Sequence, residues 1–472
     1  MAKFTDEQIA AIEAQGRTIV SASAGSGKTT VMIEKIIRLI KSGCRVDEIL
    51  AVTFTKKAAA QMKEKLCKAL IEAINAPETT PEKRAVLKAR LSEVPSADIS
   101  TIHSFCSKLI RSHFFAAGVD NAFRVIGGDD AEGTALKNEA LDELFEEGYE
   151  AKEEDFTHLL SVYWRKKSDN ALRQIFNTAY EELRTRADYK AYLQRSGNYD
   201  EETFLRICAD LHTALKEKCE YYLNLVDEEL YYFQKIDAAP QIALATELKD
   251  FLTEIAAAPD YFAACAIAKP KFTAKRTSKK DDEEKKSRIE RLAALKDKTV
   301  KIFEDELSAT ASYEEELQRF LNSAQTARAL AAYLLRFDEK YAQLKTERGV
   351  LDYNDLEHKA LALLKNEEIV AEMKEKYRFV FVDEYQDVNP VQEEIVSLLS
   401  GENLFLVGDV KQSIYGFRGS KSRFFVEKQK AFAAGNDNAL AMTRNFRSAD
   451  AVLDAVNAQF ALAMTTKACD ID

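Results

Sequence analysis

A loop of small residues between an apolar stretch and a helical stretch constrains this chain more than any other feature. Thr18-Ile19-Val20 leads into Ala22-Ser23-Ala24-Gly25-Ser26-Gly27-Lys28-Thr29, and apolar residues at helical spacing begin at Val31. Small side chains let successive backbone N–H groups surround an anion, and a helix N-terminus adds the positive end of its dipole. A strand, such a loop and a helix in this order predict a P-loop, which holds the phosphates of a nucleoside triphosphate.

The P-loop predicts that the chain binds two cofactors, ATP and Mg²⁺. Lys28 can reach the β- and γ-phosphates, and the Thr29 hydroxyl can ligate Mg²⁺. Gln8 lies just upstream of the P-loop strand, where it either contacts an adenine edge or is a polar residue of an amphipathic helix. Glycine usually stands first in the pattern; Ala22 keeps the loop narrow but makes a positive φ costly there. The predicted nucleotide-binding residues are Gln8, Ala22, Ser23, Ala24, Gly25, Ser26, Gly27, Lys28, Thr29 and Thr30.

Strands and helices alternate on both sides of a long helical segment. Apolar strand-like runs followed by helical patterns predict a parallel sheet. From residue 129 to residue 346 glycine and proline are sparse, and apolar residues recur at helical spacing. The fold class is therefore α/β, with a parallel sheet and a large all-helical insertion. The predicted strands after the P-loop are Ile49–Phe54, Asp98–Ile102, Tyr377–Val382, Asn403–Val407 and Ala439–Met442.

Two acidic residues end one of these predicted strands. Asp383-Glu384 follows the run Phe379-Val380-Phe381-Val382. In P-loop NTPases an acid at a strand end holds Mg²⁺, and a neighbouring carboxylate orients or deprotonates the attacking water. We therefore assign Asp383 to the metal together with Thr29, and Glu384 to the general base. The alternative is an exposed acidic turn.

Amide and guanidinium side chains further along are candidates for contacts with the γ-phosphate. Gln386 and Gln412 can hydrogen bond to water or phosphate without adding charge. Arg418 and Arg447 can stabilise the charge that develops during phosphoryl transfer, which contributes roughly 10³-fold or more to the rate in related NTPases. Arg447 is the better candidate of the two. The predicted catalytic residues are Glu384, Gln412 and Arg447.

Aromatic and basic residues near strand ends predict contacts with a single-stranded nucleic acid. Tyr415 and Phe417 stand beside Lys411 and Arg418, a combination that suits base stacking. Each aromatic residue taken singly is more often part of a core. The position between nucleotide motifs favours nucleic acid for Tyr415 and Phe417, and more weakly for Phe54. The predicted DNA contacts are Phe54, Thr55, Lys57, His103, Tyr415 and Phe417.

Composition argues against several classes of protein. The 472 residues include 67 Lys and Arg against 78 Asp and Glu, a net charge of −11, which disfavours a uniformly basic nucleic-acid binder but allows a local basic groove. Seven widely spaced cysteines disfavour a disulfide framework or a zinc site. The sequence has no bilayer-spanning apolar run and no signal peptide, so we expect a cytoplasmic protein without a membrane partner. The charged stretch 269–288 is predicted to be a solvated loop, with a phosphate contact as the alternative.

The motifs and their order resemble superfamily 1 helicases of the UvrD/Rep kind. They are the P-loop, Val52–Ala59, Ile102–Phe105, Asp383–Asp387, Gly408–Gly419 and Asn445–Ser448. Within that group, the chain is similar to the AddA components of the AddAB helicase–nucleases. The residues that carry this closer similarity are Val20–Thr29, Leu351–Leu356, Asp383–Asp387 and Lys411–Tyr415. One departure is Lys56, where UvrD-type proteins usually carry asparagine.

The resemblance implies a domain arrangement, an activity and a partner. It implies a RecA-like motor domain at 1–128 and 347–435, a helical accessory domain at 129–346, and the start of a second motor domain at 436–472. The implied activity is ATP-driven 3′→5′ translocation on single-stranded DNA, in the processing of double-strand breaks for recombinational repair, with an AddB-type partner protein. Because the sequence lacks the rest of a second motor domain and a nuclease, we expect a fragment that binds nucleotide weakly and does not unwind DNA.

Two other functions remain open from the sequence. One is a UvrD-like repair helicase without a nuclease, and the other is a non-catalytic DNA-binding scaffold with a decayed P-loop. The intact Lys28, Thr29, Asp383, Glu384 and Arg447 argue against the scaffold. An RNA helicase is less favoured because of the Asp-Glu-Tyr-Gln-Asp signature, although no physical property of these residues distinguishes the two polymers.

Overall fold

The computed structural model of the protein describes residues 4–77, 79–128, 130–165, 167–267, 272, 282–307 and 312–463. Its strands are β1 (Thr18–Ala22), β2 (Ile49–Thr53), β3 (Asp98–Thr101), β4 (Arg124–Val125), β5 (Val350–Leu351), β6 (Phe379–Val382), β7 (Leu404–Gly408) and β8 (Asn438–Met442). Its helices are α1 (Asp6–Glu13), α2 (Lys28–Lys41), α3 (Lys56–Asn75), α4 (Pro81–Glu93), α5 (Ile102–Ser112), α6 (Ala131–Ala151), α7 (Glu154–Tyr163), α8 (Asn170–Arg184), α9 (Tyr189–Arg195), α10 (Glu201–Lys235), α11 (Ala239–Ala257), α12 (Tyr261–Cys265), α13 (Glu283–Glu306), α14 (Tyr313–Glu347), α15 (Tyr353–Leu364), α16 (Glu367–Lys376), α17 (Pro390–Leu399), α18 (Arg423–Ala434) and α19 (Asp450–Ala463).

Six strands form one sheet in the order β3-β2-β6-β7-β1-β8. Every neighbouring pair in this sheet is parallel. The carboxyl ends of all six strands therefore lie at one edge, where open parallel sheets place their ligands. The predicted parallel α/β sheet is confirmed, and β8 completes it by pairing with the P-loop strand β1.

The central strands are buried on both faces. In β7, Leu404 and Leu406 belong to an apolar core with α5, α15, α17 and α18. Phe405 and Val407 belong to a second core with α2, α3 and α4. Because successive side chains of a strand point to opposite faces, each strand serves both cores, which explains its uninterrupted apolar sequence.

A short two-stranded sheet marks where the chain enters and leaves the long helical segment. β4 pairs in parallel with β5, so that Arg124 lies beside Val350. Helices α6, α7, α8 and the C-terminal half of α14 then pack through aromatic rings. The Phe145 and Phe156 centroids are 5.2 Å apart, and those of Phe176 and Phe337 are 6.3 Å apart.

The chain divides into two compact units. The described residues of the first fall within 4–194 and 332–457, and those of the second fall within 195–331 and 458–463. The second unit has its own apolar core between α10, α11, α12 and α13. The domain boundaries expected from the sequence stay predictions. Within the charged stretch 269–288, only residues 272 and 282–288 are described, and α13 begins at Glu283. No helix among the described residues is long and apolar enough to cross a membrane.

Candidate active site

The P-loop joins β1 to α2 at the edge where the parallel strands end. Gly25 and Gly27 have φ values of +72° and +89°, in the left-handed region that favours glycine. Ala22 is instead the buried last residue of β1, so the position that usually carries glycine needs no positive φ here. The N-cap residue of α2 is Gly27, which has no side chain to cap the first turn, and among the described residues the buried Ser26 Oγ has no hydrogen-bond partner. Both features fit the binding of phosphate at this helix N-terminus.

Gln8 contacts the P-loop directly. Its Nε2 donates to the backbone oxygen of Ser26 at 3.0 Å, and its Oε1 accepts from the Thr5 N–H at 3.1 Å as part of the cap of α1. The neighbouring Glu7 accepts hydrogen bonds from the backbone and hydroxyl of Thr443 at 3.0 and 2.9 Å. Helix α1 thus joins the P-loop to the segment after β8. The contact between Gln8 and adenine stays a prediction.

The acid pair lies across from the P-loop lysine. Lys28 Nζ is 3.1 Å from Glu384 Oε2, an ion pair between α2 and the second residue after the end of β6. Glu384 has a φ of +52°, a conformation that costs a non-glycine residue on the order of 1 kcal/mol or more. Such strain is concentrated at functional sites because surrounding contacts must hold it. Here Glu384 N donates to Asp383 Oδ1 at 3.0 Å.

Asp383 and Thr29 fit a divalent cation by their chemistry. Burial and then the neighbouring Glu384 carboxylate raise the pKa of Asp383 to about 6. A cation between such groups relieves both the desolvation cost and the repulsion between the two carboxylates. Carboxylate and hydroxyl oxygens are the ligands that Mg²⁺ takes in proteins, and Thr29 follows Lys28 in the first turn of α2.

Replacing Asp383 by asparagine is expected to stabilise the metal-free protein at pH 8, and about half as much at pH 5. The folded-state pKa of about 6 exceeds the ordinary 3.8, so the folded wild type loses stability as pH rises between these values. The asparagine variant has no such loss, which corresponds to a gain on the order of 1–3 kcal/mol at pH 8. Asn Oδ1 still accepts from Glu384 N. Urea denaturation without divalent cations, at both pH values, measures the difference.

The control for this experiment is Asp47→Asn, because the Asp47 side chain is about half exposed. We expect its effect on the free energy of unfolding to stay within about 0.5 kcal/mol at both pH values. An Asp383→Asn protein whose free energy of unfolding differs from wild type by the same amount at pH 5 and pH 8 would contradict the assignment of a costly buried charge.

Gln386 links the acid pair to the end of β7. Its Nε2 donates to Glu384 Oε2 at 2.9 Å, and its Oε1 accepts from the Asp409 N–H at 3.0 Å. A Cβ on Gly408 would lie 2.5 Å from Gln386 Oε1, so this approach requires glycine at the strand end. Gln412 is connected to Glu384 through Asp409 and Gln386, because its Nε2 donates to Asp409 Oδ2 at 2.6 Å. Of the two amides proposed from the sequence, Gln386 makes the direct contact with Glu384.

The segment after β8 packs on the P-loop. Asn445 Nδ2 donates to Ala24 O at 2.7 Å, and the Phe446 N–H donates to Gly25 O at 2.9 Å. A Cβ on Gly25 would lie 2.8 Å from Arg447 Cβ. The Cβ of Arg447 therefore lies against the P-loop, while the residue as a whole is exposed. A contact between its guanidinium and a bound phosphate stays a prediction.

Three aromatic residues proposed to contact DNA form one group. The rings of Phe54 and Tyr415 stack with centroids 4.2 Å apart and an interplanar angle of 28°. The Tyr415 and Phe417 centroids are 6.0 Å apart, and Phe417 is 80% exposed. Exposed rings in sequence positions next to lysine and arginine suit stacking on bases.

The other proposed DNA contacts follow two neighbouring strands. Thr53 at the end of β2 pairs with Thr101 at the end of β3, so Thr55 and His103 lie at the same edge of the sheet. The Thr55 hydroxyl caps α3 by accepting a backbone hydrogen bond at 3.1 Å, and Lys57 is exposed in the first turn of that helix. The His103 side chain is about one-third exposed. The structure brings these residues to one edge, and their contact with DNA stays a prediction.

Replacing Tyr415 by alanine is expected to weaken binding of this chain to single-stranded oligo-dT by roughly 5- to 100-fold, the equivalent of stacking one base. Phe54 remains but loses its stacking partner. Fluorescence anisotropy of a labelled oligonucleotide measures the affinity. Tyr192→Ala is the control, because Tyr192 is also exposed but lies on α9. Equal losses in both variants, or none in either, would contradict a specific role for Tyr415.

Sequence reasoning missed several residues that the structure brings to this edge. Glu7 and Asn445 form hydrogen bonds around the P-loop. Glu357 contacts His103, and Asn389, which lies after the acid pair, donates to Glu357. Asn445 precedes the proposed arginine in a motif, a signal that could have identified it. No local signal identifies Glu357, because it lies within an amphipathic helix and its partners come from other elements.

A parallel sheet with a P-loop, a strand-end acid pair and an arginine-bearing segment at one edge defines a RecA-like nucleotide-binding domain. The chain belongs to the family described as the UvrD/REP helicase N-terminal domain, which matches residues 4–433. The resemblance of its motifs to UvrD/Rep-type helicases is confirmed.

Curated relatives are named as the A component of an ATP-dependent helicase/nuclease. The relative from Alkaliphilus metalliredigens is 34% identical over 498 residues, covering 100% of this chain and 40% of its own length. The relative from Listeria monocytogenes serotype 4a is 33% identical over 507 residues, covering 99% and 40% respectively. The relative from Clostridium novyi is 32% identical over 488 residues, covering 96% and 39%. The similarity to AddA-type helicase–nuclease proteins is confirmed, and the chain spans about 40% of the length of these relatives.

Proposed function

We propose that this chain is the ATP-binding part of a DNA helicase that moves 3′→5′ along single-stranded DNA within a helicase–nuclease. One observation carries the proposal. Lys28 Nζ lies 3.1 Å from Glu384 Oε2, so the phosphate-reaching lysine and the proposed general base share one site. Membership of the helicase family and the names of the relatives support the same function.

In this proposal each side chain has a defined task. Lys28 and the N–H groups of α2 bind the triphosphate, while Arg447 stabilises charge that develops on it. Glu384 accepts a proton from the attacking water, and Gln386 holds the Glu384 carboxylate. Asp383 and Thr29 would hold Mg²⁺, which neutralises phosphate charge.

The order of strands supports coupling between nucleotide and DNA. Along the edge, His103 follows β3, and Phe54, Thr55 and Lys57 follow β2. The acid pair follows β6, Tyr415 and Phe417 follow β7, and the P-loop follows β1. Hydrogen bonds connect the acid pair to the segment that carries Tyr415. Gln386 donates to Glu384 and to Asp387 Oδ2 at 3.2 Å, and Asp387 accepts from the Ile414 N–H at 3.4 Å, one residue before Tyr415. A change at Glu384 thus has a short route to the aromatic group.

The pathway and the partner belong to the proposal as well. We propose that the full-length protein processes DNA double-strand breaks for recombinational repair together with an AddB-type protein. The relatives' name, which describes one component of a helicase/nuclease, supports a multisubunit nuclease over a UvrD-like helicase without one. The inability of this chain by itself to unwind DNA stays a prediction.

The test is the ATPase activity of the full-length protein and of its Lys28→Ala variant, with single-stranded DNA and RNA as competing stimulators. We expect stimulation by DNA and its loss in the variant, because Lys28 is the cation that reaches the β- and γ-phosphates. Stimulation by RNA in place of DNA would reject a DNA motor. The absence of any stimulated activity that depends on Lys28 would favour the scaffold.

A further inference from the structure

A buried lysine lies in the middle of α2, the helix that follows the P-loop. Lys35 is only 9% exposed. Its Nζ donates to three carbonyl oxygens at the end of α1, those of Ala11 at 3.4 Å, Ile12 at 3.1 Å and Ala14 at 2.6 Å. An ammonium group has three donors, so these bonds use all of them. The same Nζ lies 5.0 Å from the centroid of the Phe405 ring.

This lysine satisfies the C-terminal end of α1. The last carbonyls of a helix have no partner within the helix, and they form the negative end of its dipole. Helix α1 has 8 residues and no basic residue in its last turn, so α2 supplies the cation. Burial, and then the charge of Arg38, lowers the pKa of Lys35 to about 8. A charge buried in this way is costly, and the hydrogen bonds to α1 offset that cost.

The anchored face of α1 also carries Gln8. The buried residues of this helix are Gln8, Ala11 and Ile12, and a spacing of three and four residues places them on one face. Gln8 Nε2 donates to the backbone oxygen of Ser26 in the P-loop, and a Cβ on Gly27 would lie 3.0 Å from the same Nε2. Helix α1 is therefore fixed at two points about one turn apart, by Gln8 on the P-loop and by its last carbonyls on α2.

We propose that Lys35 is a positioning residue for nucleotide binding, which fixes α1 so that Gln8 stays against the P-loop. The inference rests on the proposed function, because it takes the P-loop to bind ATP. Lys35 follows Lys28 by about two turns of the same helix, so both lysines lie on one face of one rigid element. Without the Lys35 cation, α1 keeps its apolar contacts but its last turn is no longer held by hydrogen bonds.

The experiment compares the full-length wild type with Lys35→Met in DNA-stimulated ATP turnover and in binding of a fluorescent ATP analogue. Methionine is also unbranched but has no charge and no donor. We expect the Kd of the analogue and the KM for ATP to rise roughly 2- to 10-fold, about the value of one net hydrogen bond, and kcat to stay within about twofold. Lys41→Met is the matched control, because Lys41 is the exposed last residue of α2 and should change none of these quantities.

Two further substitutions at the same position test the role of the charge. Lys35→Arg keeps a cation, and a cavity of about 290 Å³ lined in part by Lys35 and Arg38 leaves room for the longer side chain. Its Kd should stay within about twofold of wild type. If Lys35→Met does not fold, Lys35→Gln takes its place. The glutamine amide still donates two hydrogen bonds but carries no charge, so the Kd should rise by about twofold or more.

A double variant separates positioning from stability alone. Because Lys35 is proposed to act through Gln8, adding Lys35→Met to Gln8→Ala should raise the Kd further by less than about twofold. Hydrogen exchange of the α1 amides should be faster in Lys35→Met than in wild type. A Lys35→Met protein that unfolds at a lower temperature but keeps the wild-type Kd and KM would overturn the positioning role. Fully additive losses in the double variant would overturn it as well.

The outcomes also distinguish this inference from the proposed function. Nucleotide binding that depends on Lys28 but not on Lys35 would overturn the inference and leave the proposed function intact. A full-length wild type that does not bind the ATP analogue at all would reject both.

Discussion

Replacing Glu384 by glutamine is expected to lower DNA-stimulated ATP turnover of the full-length protein by about 100-fold or more. Both hydrogen bonds to this side chain, from Lys28 Nζ and Gln386 Nε2, end on the same oxygen, Oε2. A glutamine can direct its carbonyl oxygen to that position and keep both. What it cannot do is accept a proton from water, so the change removes the proposed base with little change of shape.

The same variant should bind nucleotide nearly as well as wild type, because Lys28 and the N–H groups of α2 are untouched. Turnover is measured by phosphate release, and affinity by a fluorescent ATP analogue. Lys28→Ala should instead lose affinity, and Glu375→Gln, at an exposed position of α16, should change neither quantity. Turnover of Glu384→Gln within tenfold of wild type would contradict its assignment as general base.

Replacing Arg184 by methionine is expected to destabilise the unit of residues 1–194 and 332–457 by roughly 3–5 kcal/mol. Arg184 is 5% exposed and donates from Nη1 to Asp338 Oδ1 and from Nη2 to Asp355 Oδ1, both at 3.0 Å. It also donates to the Tyr189 hydroxyl at 2.8 Å. Methionine fills part of the space but leaves buried carboxylates without this cation, which accounts for most of the cost.

Arg186→Met is the matched control for this prediction, since the Arg186 side chain is 43% exposed and its ion pair with Asp188 is on the surface. A change within about 1 kcal/mol is expected there. Adding Asp338→Asn to Arg184→Met should restore part of the loss, because it removes one of the two carboxylate charges that Arg184 pairs with. Urea denaturation followed by circular dichroism measures all three. Equal effects of Arg184→Met and Arg186→Met would show that the buried network contributes little.

The residues proposed to bind phosphate were open to prediction from local sequence. A phosphate cradle needs consecutive backbone N–H groups and a lysine at a set spacing, so Gly25, Gly27 and Lys28 identify it within a few residues. The acid pair is similarly local, because it directly follows an apolar run. The P-loop pattern also identified Ala22 as a departure from the usual glycine, where a positive φ would be costly. In the structure Ala22 belongs to β1 and needs no positive φ.

The amino-acid sequence by itself determined the elements of this protein: the P-loop, the buried parallel strands, the strand-end acids and the helical segment between them. Each of these elements depends on interactions between residues a few positions apart, so its pattern can be recognised in the sequence. Only the tertiary structure decided that Gln386 and not Gln412 contacts Glu384, that Glu357 holds His103, and that Arg184 pairs with Asp338 and Asp355. Such contacts arise from the register of strands and the packing of helices far apart in the chain. Their energy comes from burial and from the pairing of charges, neither of which leaves a local pattern in the sequence.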